Sequence, residues 1–127
     1  MTTLVLVTGG RKYGLGDKRP AIDQRNLVYS TMDGIKAHYG DIMVICGGAP
    51  GLDSVVSEMW CRQRGVHCAV VRALWTTHGN GAGTIRNGAM LALTPTFVVA
   101  FPGGPGTANM VYQARKANLP VYVIEDA

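Results

Sequence analysis

Apolar residues along this chain follow two rhythms, and glycine or proline usually marks the change from one to the other. Short continuous apolar runs, rich in β-branched residues, fall at 4–7, 42–46, 67–71, 97–101 and 121–124. Runs of this length and composition predict strands buried on both faces. Between them the apolar positions recur at helical spacing. After Pro20, which suits the start of a helix, Ile22, Val28, Met32, Ile35 and Tyr39 mark one face, and Gly40 ends it. Leu52, Val55, Val56, Met59 and Trp60 mark a second, amphipathic helix that Gly65 closes. A third is predicted from Thr84 to Leu93, ahead of Pro95, and a fourth carries Met110, Val111, Ala114 and Ala117. Residues 73–83, rich in glycine and holding Trp75 and His78, read as a loop.

Strand alternating with helix implies right-handed crossovers and a parallel sheet. The expected fold is α/β: a single Rossmann-like three-layer domain over residues 1–127, with about five parallel strands and helices on both faces. In such a sheet every loop leaving a strand C-terminus lies along one edge, where ligands of open α/β sheets bind. The loops after the first four strands all carry glycine, whereas the helix-to-strand returns are short and plain. The loop after the fourth strand reads Pro102-Gly103-Gly104-Pro105-Gly106-Thr107 and runs directly into a helix. Backbone N–H groups in such a loop can meet a phosphate at the positive end of the helix, or the glycines can serve a tight turn alone.

Composition narrows this picture modestly. The 127 residues suit one domain, and 47% hydrophobic content can fill its core. The net charge of +4 suits an anionic partner. Arg11, Lys12, Lys18 and Arg19 share the loop after the first strand, which favours a phosphorylated ligand. Cys46, Cys61 and Cys68 are odd in number and lack C-x-x-C spacing. They argue for a reducing, cytoplasmic setting and against a disulfide scaffold or a metal site. No apolar run is long enough to span a membrane, and no secretory leader is recognisable.

The common nucleotide fingerprints are missing. No G-x-x-x-x-G-K-[ST] is present, and Gly9-Gly10-Arg11-Lys12-Tyr13-Gly14 does not fit G-x-G-x-x-G. The second strand also ends without an acid for a ribose, which argues against a dinucleotide-dependent dehydrogenase; no cofactor is expected.

The four loops together resemble another group. Pro102 to Thr107 is similar to the PGGxGT signature of the SLOG superfamily, which includes the LOG phosphoribohydrolases and the DNA-processing protein DprA. The chain more closely resembles the YspA-like, cpYpsA-related branch. Thr8-Gly9-Gly10-Arg11-x-Tyr13, Gly47-Gly48-Ala49-x-Gly51-x-Asp53 and Trp75-x-x-His78-Gly79-x-x-Ala82-Gly83-x-x-Arg86-Asn87-x-x-Met90 carry that likeness. The resemblance implies binding or sensing of a nucleotide-derived ligand. The enzymes' PGGxGTxxE motif places an acid where Met110 stands here, and their R-K-x-x-M segment is Arg86-Asn87-Gly88-Ala89-Met90, with the lysine lost. Cleavage of an N-glycosidic bond passes through an oxocarbenium-like state that a carboxylate stabilises, so these departures weigh against the LOG reaction.

On this reading Gly103, Gly104, Gly106 and Thr107 hold phosphate, with Pro102 shaping the turn; Thr107 can also cap its helix. Gly9, Gly10, Gly47, Gly48 and Ala49 let a ligand approach the backbone. Arg11 and Arg86, beside Asn87, pair with phosphate or remain solvated charges. Tyr13 lines the pocket mouth. Trp75 stacks on a base or packs at the surface, and His78 serves as donor, acid or base, or is plain surface. Asp53 is a candidate carboxylate, or a stabilising acid in the first turn of its helix. Asp53, Arg86 and His78 are the candidates should the protein be an enzyme. Met59, Trp60 and Met110 read as core, and His38 and His67 carry no assigned role.

The expected function is therefore binding of a phosphate-containing, nucleotide-derived small molecule, ADP-ribose-like in kind, by a sensor or sequestering protein. A nucleoside-monophosphate N-glycosidase is the alternative, and single-stranded nucleic-acid binding, by analogy with DprA, ranks third. Apolar residues on the helix faces suggest a homodimer or higher homo-oligomer, unless those faces cover the sheet.

Overall fold

The computed structural model describes residues 2–126. Five parallel strands, β1 (Thr3–Thr8), β2 (Ile42–Cys46), β3 (Cys68–Val70), β4 (Phe97–Ala100) and β5 (Val121–Val123), form one sheet in the order β3-β2-β1-β4-β5. The chain is an α/β Rossmann-like domain. Between their ends the central strands are apolar because both faces are covered. Val5, Val7, Val44, Cys46, Phe97 and Val99 face one helical layer, and Leu6, Ile45 and Val98 face the other. Pairing of Leu6 with Ile45 and with Val98 keeps each set on its own side.

The first layer holds α1 (Arg19–Tyr39) and a continuous helix over 52–64, made of α2 (Leu52–Ser54), a π-helical stretch (Val55–Trp60) and α3 (Cys61–Arg64). Ala21, Val28 and Met32 form the buried stripe of α1, with Ile35 packed beside them. Ile22, expected on that stripe, is 40% exposed. It follows Ala21 by one residue, a turn of about 100° that carries it off the face. Val55, Val56 and Trp60 are fully or almost fully buried, so the face suggested as an association surface covers the sheet instead. The Trp60 indole N–H donates to Asp33 Oδ1 at 2.8 Å, and Arg64 clasps the same carboxylate, tying this helix to α1. Those donors hold Asp33 down at about 2.

The second layer holds α5 (Ala82–Leu91) and α6 (Pro105–Lys116). Met90, Met110 and Ala114 pack there against Leu6, Ile45 and Val98. Residues 73–83 are not a plain loop: α4 (Trp75–His78) and a 3₁₀ turn (Gly79–Gly81) occupy them, and α5 begins at Ala82 rather than Thr84. The Thr77 and His78 N–H groups close the α4 turn on the Leu74 carbonyl, at 3.0 and 2.8 Å. Neither α4 nor the 3₁₀ turn buries a residue, so no apolar periodicity could announce them. Predicted strands 67–71 and 121–124 are longer than β3 and β5, yet the ladder continues through His67 O, Val71 N and Ile124 N.

From β1 the chain steps outward to β2 and β3, then returns to place β4 beside β1 and β5 beyond it. The reversal lies between β1 and β4, and there the loops leaving the two strands diverge to opposite layers and open a crevice.

Candidate functional site

A cleft of about 870 Å³ opens at the carboxyl edge of the sheet, over the reversal between β1 and β4. Its walls come from the loops after β1, β2 and β4, from Trp75, and from the facing ends of α5 and α6.

The loops after β1 and β4 lie against each other. Pairing of the two strands continues past their ends: Phe101 N donates to Thr8 O at 2.8 Å and Gly10 N to Pro102 O at 2.9 Å. Gly103 permits this approach. A Cβ there would run into Thr107 Oγ1 and lie 2.8 Å from the Gly10 nitrogen. The β1 loop is also clamped from α1, where Gln24 accepts the Gly14 N–H at 2.7 Å and Arg25 donates to the Gly14 and Gly16 carbonyls at 2.7 and 2.8 Å. Tyr13 packs on Phe101 and donates its hydroxyl to Asp126 at 2.7 Å. Burial and that carboxylate push its phenol well above the ordinary tyrosine range.

The first turn of α6 faces the cleft with unspent donors. Ala108 is the first residue of the helix whose N–H is bonded, to Gly104 O at 3.1 Å. The N–H groups of Gly106 and Thr107 have no acceptor among the described residues, as the geometry of a helix start requires. Asn87, 2% exposed, fixes this turn against α5: its amide donates to the Gly106 carbonyl at 3.2 Å and to Asn109 Oδ1 at 3.1 Å.

Arg86 joins the two halves of the site. Its Nη1 donates to the Gly47 carbonyl at 2.7 Å and its Nε to Asn87 Oδ1 at 3.1 Å, and the other N–H groups of the fork have no acceptor among the described residues. A Cβ on Gly47 would meet the guanidinium, so a larger residue there would displace Arg86 from this position. Half-burial of this cation lowers its pKa from the usual arginine value. Asp53, 7% exposed, also lines the cleft and accepts the Ala49 N–H at 3.1 Å. Burial raises its carboxyl to about 6, against the opposing pull of the Ala49 amide and Arg86. Among the described residues it is the one acidic side chain of the lining, against Arg11, Lys12 and Arg86. The balance of side chains, free amides and helix polarity therefore favours an anion.

Most residues singled out in the sequence meet in this cleft: Gly9, Gly10, Arg11, Tyr13, Gly47, Ala49, Asp53, Trp75, Arg86, Asn87, Pro102, Gly103, Gly104, Gly106 and Thr107. Two do not. Gly48 turns toward Val70 and Arg72, and His78 is exposed at the end of α4, outside the lining. Lys18 and Arg19, grouped in the sequence with Arg11 and Lys12, also lie outside it, and Arg19 pairs with Asp23 at the surface. The sequence reading missed Gln24, Asn80, Thr84 and Asn109. Polar residues on helices carry no signal of their own, though Asn109 directly follows the Pro102–Thr107 stretch and Ala108. Met110 is fully buried among Leu6, Val98 and Ala114 and presents nothing to the cleft.

The structure defines the class: a Rossmann-like α/β domain with glycine loops gathered at the strand-order reversal. The chain belongs to the YspA, cpYpsA-related SLOG family, whose model matches residues 3–78. That match spans β1 to α4 and so includes the first two glycine loops and Trp75. The chain is also similar to the Gene 61 protein of Mycobacterium phage D29, with 36% identity over 93 residues, covering 68% of this chain and 73% of that protein. No solved structure matches the chain significantly.

Proposed function

We propose that the cleft binds a nucleotide-derived small molecule through its phosphate, ADP-ribose-like in kind, and that the protein senses or sequesters that molecule. One observation carries this reading: Arg11, Lys12, Arg86 and the unbonded first-turn amides of α6 converge on a single cleft in which the one acidic side chain among the described residues, Asp53, is buried. The phosphate would sit at the start of α6, with Thr107 as a hydroxyl donor and Arg86 reaching it from α5. Calorimetry against a panel of nucleoside phosphates and ADP-ribose derivatives tests the reading. At least one member should bind, and Arg86→Ala should weaken it tenfold or more, the range expected for a lost charge-assisted hydrogen bond. Failure of the whole panel to bind would end the proposal.

Asp53 favours a second reading, N-glycosidase action on a nucleoside monophosphate. With Met110 turned into the core, Asp53 is the carboxyl left to the cleft among the described residues, and a group near 6 can hold or release a proton around neutral pH. Release of free base that disappears in Asp53→Asn would support it; binding without turnover leaves the first reading in place.

A further inference from the structure

Strand β5 ends the sheet on one side, and its outer edge is unpaired among the described residues. The inner ladder fixes what that edge offers. Val98 N donates to Pro120 O at 2.9 Å and Ile124 N to Ala100 O at 2.8 Å, so the polar groups of residues 120, 122 and 124 face β4. Backbone direction alternates along a strand, and Val121 and Val123 therefore each point an N–H and a C=O outward. Pro120, which has no N–H, belongs to the inward set and takes nothing from the edge. The opposite edge, β3, is finished differently. Arg72 stands just beyond it, donates to Gly48 O at 3.1 Å and sets a charge beside Val70, a device that discourages edge pairing. Residues 119–124, Leu-Pro-Val-Tyr-Val-Ile, carry no such charge.

Both faces of this edge are apolar and open. Tyr122 lies on the α1 side, edge-on to Phe97 at 5.4 Å, and is 52% exposed. Val123, equally exposed, lies on the α6 side and lines a groove with Val111, Tyr112, Arg115 and Lys116. Arg115 and Lys116 end α6, and the short return to β5 keeps them beside the start of that strand. Glu125 is exposed just past its end. Ile124 packs on the α1 side with Tyr122, so alternation leaves Glu125 on the α6 side. The edge thus carries a basic group at one end and an acidic group at the other, on the same face.

We infer that this edge joins a second copy of the chain, with the two β5 strands antiparallel about a two-fold axis at Tyr122. Such an axis brings the end of each strand to the start of the other. Val121 and Val123 exchange backbone hydrogen bonds with Val123 and Val121 of the other copy. Tyr122 meets its own counterpart at the close, non-hydrogen-bonded position, where aromatic pairs contribute most. Glu125 comes opposite Leu119 of the other copy, beside its Arg115 and Lys116, and the axis repeats that pair. The association uses the sheet edge, not the helix faces that cover the sheet. It does not depend on what the cleft binds: each cleft stays complete within its own copy, and the two open at opposite ends.

Sedimentation equilibrium of the full chain at low salt, where exposed charges are least screened, tests the inference. Wild type should dimerise at micromolar concentrations and above. Glu125→Lys places like charges at both symmetric contacts, and so does the double variant Arg115→Glu/Lys116→Glu. Each alone should raise the dimer Kd about tenfold or more. An equimolar mixture of the two should associate again, because each variant then supplies the charge that the other lacks. Val123→Pro removes an outward N–H without touching the β4 ladder and should weaken the dimer independently of charge. Unchanged circular dichroism and Tm would show that each variant is folded; should Val123→Pro fail to fold, the charge variants decide alone. A monomeric wild type, a dimer that the folded variants leave intact, or a mixture that stays monomeric would each overturn the inference.

Discussion

Asp53 shows how far burial can alter one residue. From the sequence it is a carboxylate near the start of a helix; in the fold it sits almost without solvent, with its pKa raised from 3.8 to about 6. Between those two values the folded chain keeps a proton that the unfolded chain has released. Stability therefore falls as pH rises through this window, and above it the ionised carboxyl costs up to about 3 kcal/mol. Asp53→Asn removes the titrating group and can still accept the Ala49 N–H. Its stability relative to wild type should rise between pH 4 and pH 7, as measured by denaturant unfolding at both values. An unchanged difference would assign the pH dependence elsewhere. Asp53 was visible in the sequence as a candidate, but its protonation was not, because desolvation depends on what the fold packs around it. His78 is the opposite case: motif context raised it, and an unburied helix end leaves it outside the cleft.

Among the elements, the loops after β1 and β4 act as one unit, joined by the Gly10 to Pro102 hydrogen bond. An alanine at 103 would place its Cβ 2.8 Å from the Gly10 nitrogen. That neighbour is backbone and cannot rotate away as a side chain would. Gly103→Ala should therefore separate the loops, lower stability by about 1–3 kcal/mol and weaken the proposed ligand binding more than tenfold. Parallel measurement of unfolding and calorimetry would check both effects, and wild-type affinity would argue that the loops bind independently. Strand and helix order was legible because runs buried on both faces stay apolar and amphipathic helices repeat at their own period. The segment of α4 was not, since nothing in it is buried.

At the scale of the whole molecule, the cleft draws on three strand-end loops and on helices from both layers. A ligand there should stabilise the domain as one cooperative unit rather than a single loop. At a ligand concentration one hundred times its Kd the gain is about 2.7 kcal/mol, or on the order of 10 °C in Tm for a chain of this size. Differential scanning calorimetry should show a single transition moving upward; a transition that splits would mean the two sides of the cleft unfold separately. Among the described residues no helix is long and apolar enough to cross a membrane.

The order of elements, the parallel sheet and the edge on which the glycine loops gather were determined by the sequence alone, because hydrophobic period and turn chemistry are local properties. The tertiary structure decided which residues meet. Strand order put the loops of β1 and β4 side by side, burial gave Asp53 its raised pKa, and the packing of α5 on α6 set Arg86 and Asn87 in place. It also laid Arg11 over Trp75 across some sixty residues of chain. Such contacts depend on the crossing of distant segments, and no spacing along the chain encodes their distances.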